Sequence, residues 1–140
     1  MGFFLLMALP AFAEQPAGQW RLTGFTKYRD GLFADMSRLS HASPETAKIW
    51  VRIAPSARSR YLQSINDYLD SAGKGGRGFK FIEILCEFNC TGDKVRFLSF
   101  AYLDKAGRAI HAADEPRPAG FYIPPGNLWG NVEKAACGKQ

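Results

Sequence analysis

The residues from Phe79 to Leu103 restrict the fold more than any other part of the chain. Phe79 to Asn89 and Lys94 to Leu103 read as the two longest strands, and Ile82, Ile84, Cys86 and Phe88 recur at a period of two, the signature of a strand face. Thr91-Gly92-Asp93 supplies the turn between them. Two strands of that length joined by so short a turn must pair antiparallel. Their apolar side needs further strands and a covering layer.

Other segments supply both. Gln19 to Tyr28, Leu32 to Met36, Lys48 to Ile53, Arg108 to Ala112 and Gly120 to Ile123 read as further strands. Asp30-Gly31 and Asp104 to Gly107 mark turns, and His41 to Thr46 reads as a polar loop. Trp50, Phe97 and Phe100 are expected to be inward core side chains. One helix stands out. Tyr61, Leu62, Ile65, Tyr68 and Leu69 recur at helical spacing, with Ser56 as N-cap and Gly73 just past the end. Asn127 caps a short terminal helix, Leu128 to Ala136. The expected architecture is α+β: an antiparallel β-sheet of about six strands with one inserted amphipathic helix and a short C-terminal helix. Nothing along the chain marks a second domain or a repeat.

The three cysteines, Cys86, Cys90 and Cys137, bear on compartment. Residues 1–13 read as a signal peptide: an apolar run from Phe3 to Leu9, then Ala11-Phe12-Ala13, with cleavage between Ala13 and Glu14. Residues 14–18 follow as a flexible lead. An exported chain meets oxidising conditions, where cysteines pair. Four residues of extended strand separate Cys86 from Cys90 by about 13 Å. A disulfide needs Cα atoms within about 7 Å. Cys137 is therefore the partner of one of the two. Cys90, at the strand corner, is favoured, because Cys86 continues the apolar alternation of Ile82, Ile84 and Phe88.

Charge and site chemistry narrow the function. Eighteen Lys and Arg against thirteen Asp and Glu give +5, and the basic residues are scattered rather than massed. Export makes nucleic acid a poor partner. Protein and anionic polysaccharide remain the partner classes. No metal site is expected, since Cys86-x3-Cys90, His41 and His111 lack ligand spacing. Glu83 and Glu87, about 13 Å apart along one strand face, are too distant for paired acid–base work. The loop Gly73 to Gly78 precedes a strand instead of opening a helix, so a connector is favoured over a phosphate cradle. The chain is accordingly expected to be no enzyme and to need no cofactor. No segment after the signal is long enough to cross a membrane.

Several short motifs, in order, resemble the bacterial surface-adhesin protein E family. They are Ile49-Trp50-Val51-Arg52, Glu87-Phe88-Asn89-Cys90, Lys94-x-Arg96-x-Leu98-Ser99, Tyr102-Leu103-Asp104-Lys105-x-Gly107, Phe121-x-Ile123-x-Pro125-Gly126 and the final Cys137. The resemblance runs from about Trp20 to Cys137 and implies a single adhesin-E-like domain over residues 19–138. It implies a small exported sheet domain without catalytic machinery and a bond between the corner cysteine and the terminal one. One member of that family is an outer-membrane lipoprotein that binds host extracellular-matrix proteins. This chain departs from the pattern in having no lipid-anchor cysteine near the cleavage site, a longer Tyr102-Leu103-Asp104 turn and a more elaborate helix. The expected function is an exported binding domain, periplasmic or secreted. The alternatives are a periplasmic envelope structural or stress protein and, further off, a small exported enzyme.

Overall fold

A computed structural model describes residues 19–75 and 78–139. The signal peptide, its Ala13–Glu14 cleavage site and the 14–18 lead lie outside the described residues. All strands are antiparallel and belong to one sheet. They are β1 (Trp20–Phe25), β2 (Gly31–Asp35), β3 (Ser40–Ser43), β4 (Thr46–Ala54), β5 (Phe79–Asn89), β6 (Lys94–Asp104), β7 (Ala109–Asp114) and β8 (Gly120–Tyr122). Helix α1 (Arg60–Ser71) lies between β4 and β5, and α2 (Leu128–Cys137) ends the fold.

The sheet has eight strands, not about six, yet it is six rows wide. The order is β1-β2-β4-β5-β6-β7, with β3 following β2 along β4 and β8 following β7 along β6. Each extra strand is half of a broken row. The first break is the 3-10 turn Met36–Arg38, capped by the Asp35 carboxylate, which accepts from the Ser37 amide at 3.0 Å. The second spans Glu115 to Ala119, where Pro116 and Pro118 have no N–H to give a neighbouring strand. His41 to Ser43 is thus paired strand rather than open loop, closing a tight hairpin onto Thr46.

Burial separates the two faces. Leu32, Ala34, Ala47, Ile49, Val51, Ile82, Ile84, Cys86, Phe88 and Val95 share the inner face and are buried. Strict alternation along β6 would set Phe97 and Phe100 on opposite faces. A bulge puts them on the same one: Leu85 pairs Ser99 while Cys86 pairs Phe97, leaving Leu98 as the extra residue. The Leu98 carbonyl accepts from the Glu115 amide at 2.8 Å. Phe97, Phe100 and Tyr102 then all pack against the core. Trp50 does not. It lies on the outer face, half-buried beneath Arg38, because its neighbours Ile49 and Val51 already point inward.

Helix α2 covers one end of the inner face. Asn127 caps it through the Trp129 amide at 2.8 Å, and it lies closely along β1, β2, β4 and β5 with Val132 and Ala136 buried. Gly24 permits this approach: a Cβ there would stand 2.6 Å from Leu128 Cδ1. The Cys90–Cys137 disulfide, with Cα atoms 5.7 Å apart, fastens the last turn of α2 to the end of β5. Cys86 remains a free, fully buried thiol, and burial pushes its pKa far up.

The bridge spans a sequence separation of 47. Closing a loop of that length stabilises by about 4 kcal/mol in the chain-entropy description. Cys90→Ser and Cys137→Ser should therefore destabilise by similar amounts in denaturant titrations. Native protein should show no reactive thiol, and one per chain after unfolding. A native thiol titre above zero would contradict this arrangement.

Candidate functional site

Helix α1 meets the sheet differently from α2. Its N-cap is Ser59, whose hydroxyl accepts from the Tyr61 amide at 3.2 Å. Ser56, the expected cap, is used elsewhere. Its amide donates to Asp30 Oδ1 at 2.9 Å and its hydroxyl to the Tyr28 carbonyl at 2.6 Å. Asp30 is 2% exposed, and its other oxygen accepts from Thr26 Oγ1 at 2.9 Å. One buried carboxylate thus ties the β1–β2 turn to the segment that launches α1. At the far end the amides of Gly73, at φ 74°, and Lys74 close the helix by donating to the Asp70 and Leu69 carbonyls, at 3.0 and 2.7 Å. Leu69 is buried there, and Tyr68 reaches Tyr102 and His111 with ring centroids 5.5 and 5.6 Å away. Of the Gly73–Gly78 loop, Gly76 and Arg77 lie outside the described residues.

Held at both ends, α1 spans the inner face without α2's close backbone approach. Between them lies a cleft of about 450 Å³. Leu32, Ile53 and Ile82 form its floor, Tyr61, Ile65 and Tyr68 its roof, and Leu128 and Trp129 one end. The lining is mostly apolar, with Thr26, Ser59 and Ser64 as its hydroxyls besides the tyrosines and the buried Asp30 as its one charged residue. Tyr102 stands in the wall. Burial, with Tyr68 adding to it, pushes its hydroxyl above the usual tyrosine range. The periodic stripe on α1 therefore serves as the roof of a cavity. Only Leu69 of that stripe is fully buried, while Tyr61 and Tyr68 remain 56% and 44% exposed.

The outer face carries a different cluster. Arg52 lies 4.6 Å from the ring centroids of both Trp20 and Phe81 and donates to Glu83 Oε2 at 2.6 and 3.0 Å. Arg38 stacks over Trp50 and bonds Glu83 Oε1 at 3.1 Å and Asp35 Oδ2 at 2.5 Å. Burial raises the Asp35 pKa, but hydrogen bonds from Ser37 and Arg38, with the Arg38 charge, outweigh it and hold the carboxyl below its usual range. Two guanidinium groups and two carboxylates balance, so this cluster is a closed network that fixes the β2–β3 break. Glu87 pairs with Arg96 on β6. Both carboxylates weighed as catalytic candidates are thus committed to arginines.

His41 lies on β3, whereas His111 lies on β7 with Nε2 3.2 Å from the Tyr68 hydroxyl. Among the described residues, no group of three or more metal-binding side chains occurs. No described helix is long and apolar enough to cross a membrane. No protein-family model matches the chain. No curated protein matches it.

The cleft could not be read from periodicity, because a roof and a core face show the same spacing. Asp30 did leave a sign, an acidic residue at a turn before an apolar strand, although its partner at Ser56 is 26 residues away. Asp30→Ala should cost about 2–3 kcal/mol, the desolvation of donors left unpaired, and should lower the helical signal more than Thr26→Ala does. A loss under about 0.5 kcal/mol, within the range of ordinary surface substitutions, would show that the clamp does not hold α1.

Proposed function

We propose that this chain is an exported, non-enzymatic binding domain of the surface-adhesin protein E type, and that its ligand seat is the cleft beneath α1. The observation that carries the reading is the cleft itself. An apolar space of about 450 Å³, within the range of small-molecule pockets, is roofed by half-exposed tyrosines and bounded by a tryptophan. A helix that served only to cover the core would bury its stripe against the sheet, as α2 does.

Two further features support the reading. The Cys90–Cys137 bond suits an oxidising compartment. The order of short motifs from Ile49 to Cys137 is that of the family it resembles. The carboxylates of Glu83 and Glu87 are held by arginines, an arrangement suited to holding a sheet together rather than to moving protons.

The test uses N-phenyl-1-naphthylamine, a neutral apolar dye that brightens out of water. The oxidised protein should bind it saturably at one site per chain. Ser64→Trp, which places a ring in the cleft from its roof, should reduce that affinity at least tenfold while leaving the melting curve cooperative. Equal binding by wild type and Ser64→Trp, or no saturable binding at all, would contradict the assignment.

A further inference from the structure

Beside the cleft lies a depression lined by Lys27, Tyr28, Arg29 and Arg58. The shared wall is the aromatic pair Tyr28 and Tyr61, with ring centroids 6.0 Å apart at an interplanar angle of 80°. Tyr28 faces the depression and Tyr61 the cleft. Arg60 joins the same group, donating to the Tyr28 hydroxyl at 3.2 Å. Four exposed cations therefore gather beside an apolar cleft.

Among the described residues Arg38, Arg52, Arg96 and Lys139 stand in ion pairs, whereas Lys27, Arg29, Arg58 and Arg60, like most cations of the chain, do not. What sets these four apart is that they lie together. Arg58 and Arg60 flank the start of α1, a helix of 12 residues with no acidic side chain in its first turn. Cations are unfavourable at the positive end of a helix, and an anion there is favourable. The nearby Asp30 carboxylate is buried, accepts from Ser56 and Thr26, and sets one negative charge against these four cations. The patch thus carries an excess of positive charge that one carboxylate does not balance.

Taken with the proposed ligand seat, on which this step rests, we propose that the cleft binds a single-chain anionic phospholipid. The acyl chain lies beneath α1 and the phosphate sits among Lys27, Arg29, Arg58 and Arg60. Size sets the chain length. At about 30 Å³ for a water-sized group in a liquid, 450 Å³ holds on the order of 15 such groups, or a chain of roughly 14 carbons. Three of the four cations are arginines, whose planar forks match phosphate oxygens in pairs. A double-chain lipid would exceed the cavity, and a free phosphate would leave it empty.

The experiment displaces N-phenyl-1-naphthylamine from the full oxidised protein, with each lipid kept below its self-association threshold. Three competitors are compared: 1-myristoyl-lysophosphatidylglycerol, 1-myristoyl-lysophosphatidylcholine and glycerol 3-phosphate. The anionic lipid should displace the dye at a concentration at least tenfold lower than the zwitterionic lipid of the same chain. That preference should shrink as salt rises, and glycerol 3-phosphate should displace nothing. Lys27→Ala with Arg58→Ala should abolish most of the preference without lowering the melting temperature. Equal displacement by the two lipids would overturn the headgroup assignment while leaving the cleft a ligand site. Displacement by neither lipid would overturn the acyl assignment, leaving the cleft to another apolar group or to a second copy of the chain. Absence of dye binding in the wild type would remove the ligand seat itself.

Discussion

A six-row antiparallel sheet buries one face, and that face is wider than one short helix can cover. The rest of the structure follows from how the surplus is handled. Helix α2 takes the part of the face made by β1, β2, β4 and β5, packing Val132 and Ala136 into the core. The Cys90–Cys137 bond keeps it there, because a helix of ten residues has little intrinsic stability. Helix α1 is left with the remainder, toward Ile82 and Tyr102. It is fixed at its two ends by polar and aromatic contacts, so it bridges the sheet instead of settling on it.

The outer face shows the opposite solution to the same problem. Trp20, Trp50 and Phe81 would present a continuous apolar surface to water. Arg38 and Arg52 lie across their rings and are anchored by Glu83 and Asp35. Guanidinium stacking is favourable over aromatic faces, and the carboxylates prevent the cations from swinging away. The sheet is thereby finished on that side without a second layer. The cations around Tyr28 differ: Lys27 lies over the Tyr28 ring and Arg60 donates to its hydroxyl, but none of the four is paired with a carboxylate.

Much of this was legible in the residues. The alternation of Ile82, Ile84, Cys86 and Phe88 gave the inner face of β5, and the turn position of Cys90 pointed to its partner. Four things were hidden, each for a physical reason. The bulge at Leu98 shifts the period by one, and a sequence pattern cannot say whether Phe97 or Phe100 has changed sides until β5 fixes the register. The 3-10 turn after Asp35 and the prolines at 116 and 118 break rows that remain rows, so strand count and sheet width diverge. Trp50 reads as core by composition but stands outside, because its burial is supplied by an arginine 12 residues earlier in the chain. The cleft was invisible for a deeper reason. Tyr61, Ile65 and Tyr68 carry the same helical period whether the space beneath them is filled or open.

The two helices on one face differ in kind: α2 is core, and α1 is a roof held at its ends. Native-state amide hydrogen exchange measures that difference directly, since core elements open only with global unfolding and peripheral ones open locally. Amides of α2 should exchange at the rate set by global stability and respond to denaturant with the full unfolding slope. Amides between Leu62 and Asp67 of α1 should exchange at least a hundredfold faster, with a slope near zero. Equal protection in the two helices would mean that α1 is packed as firmly as α2 and that the space beneath it is closed in solution.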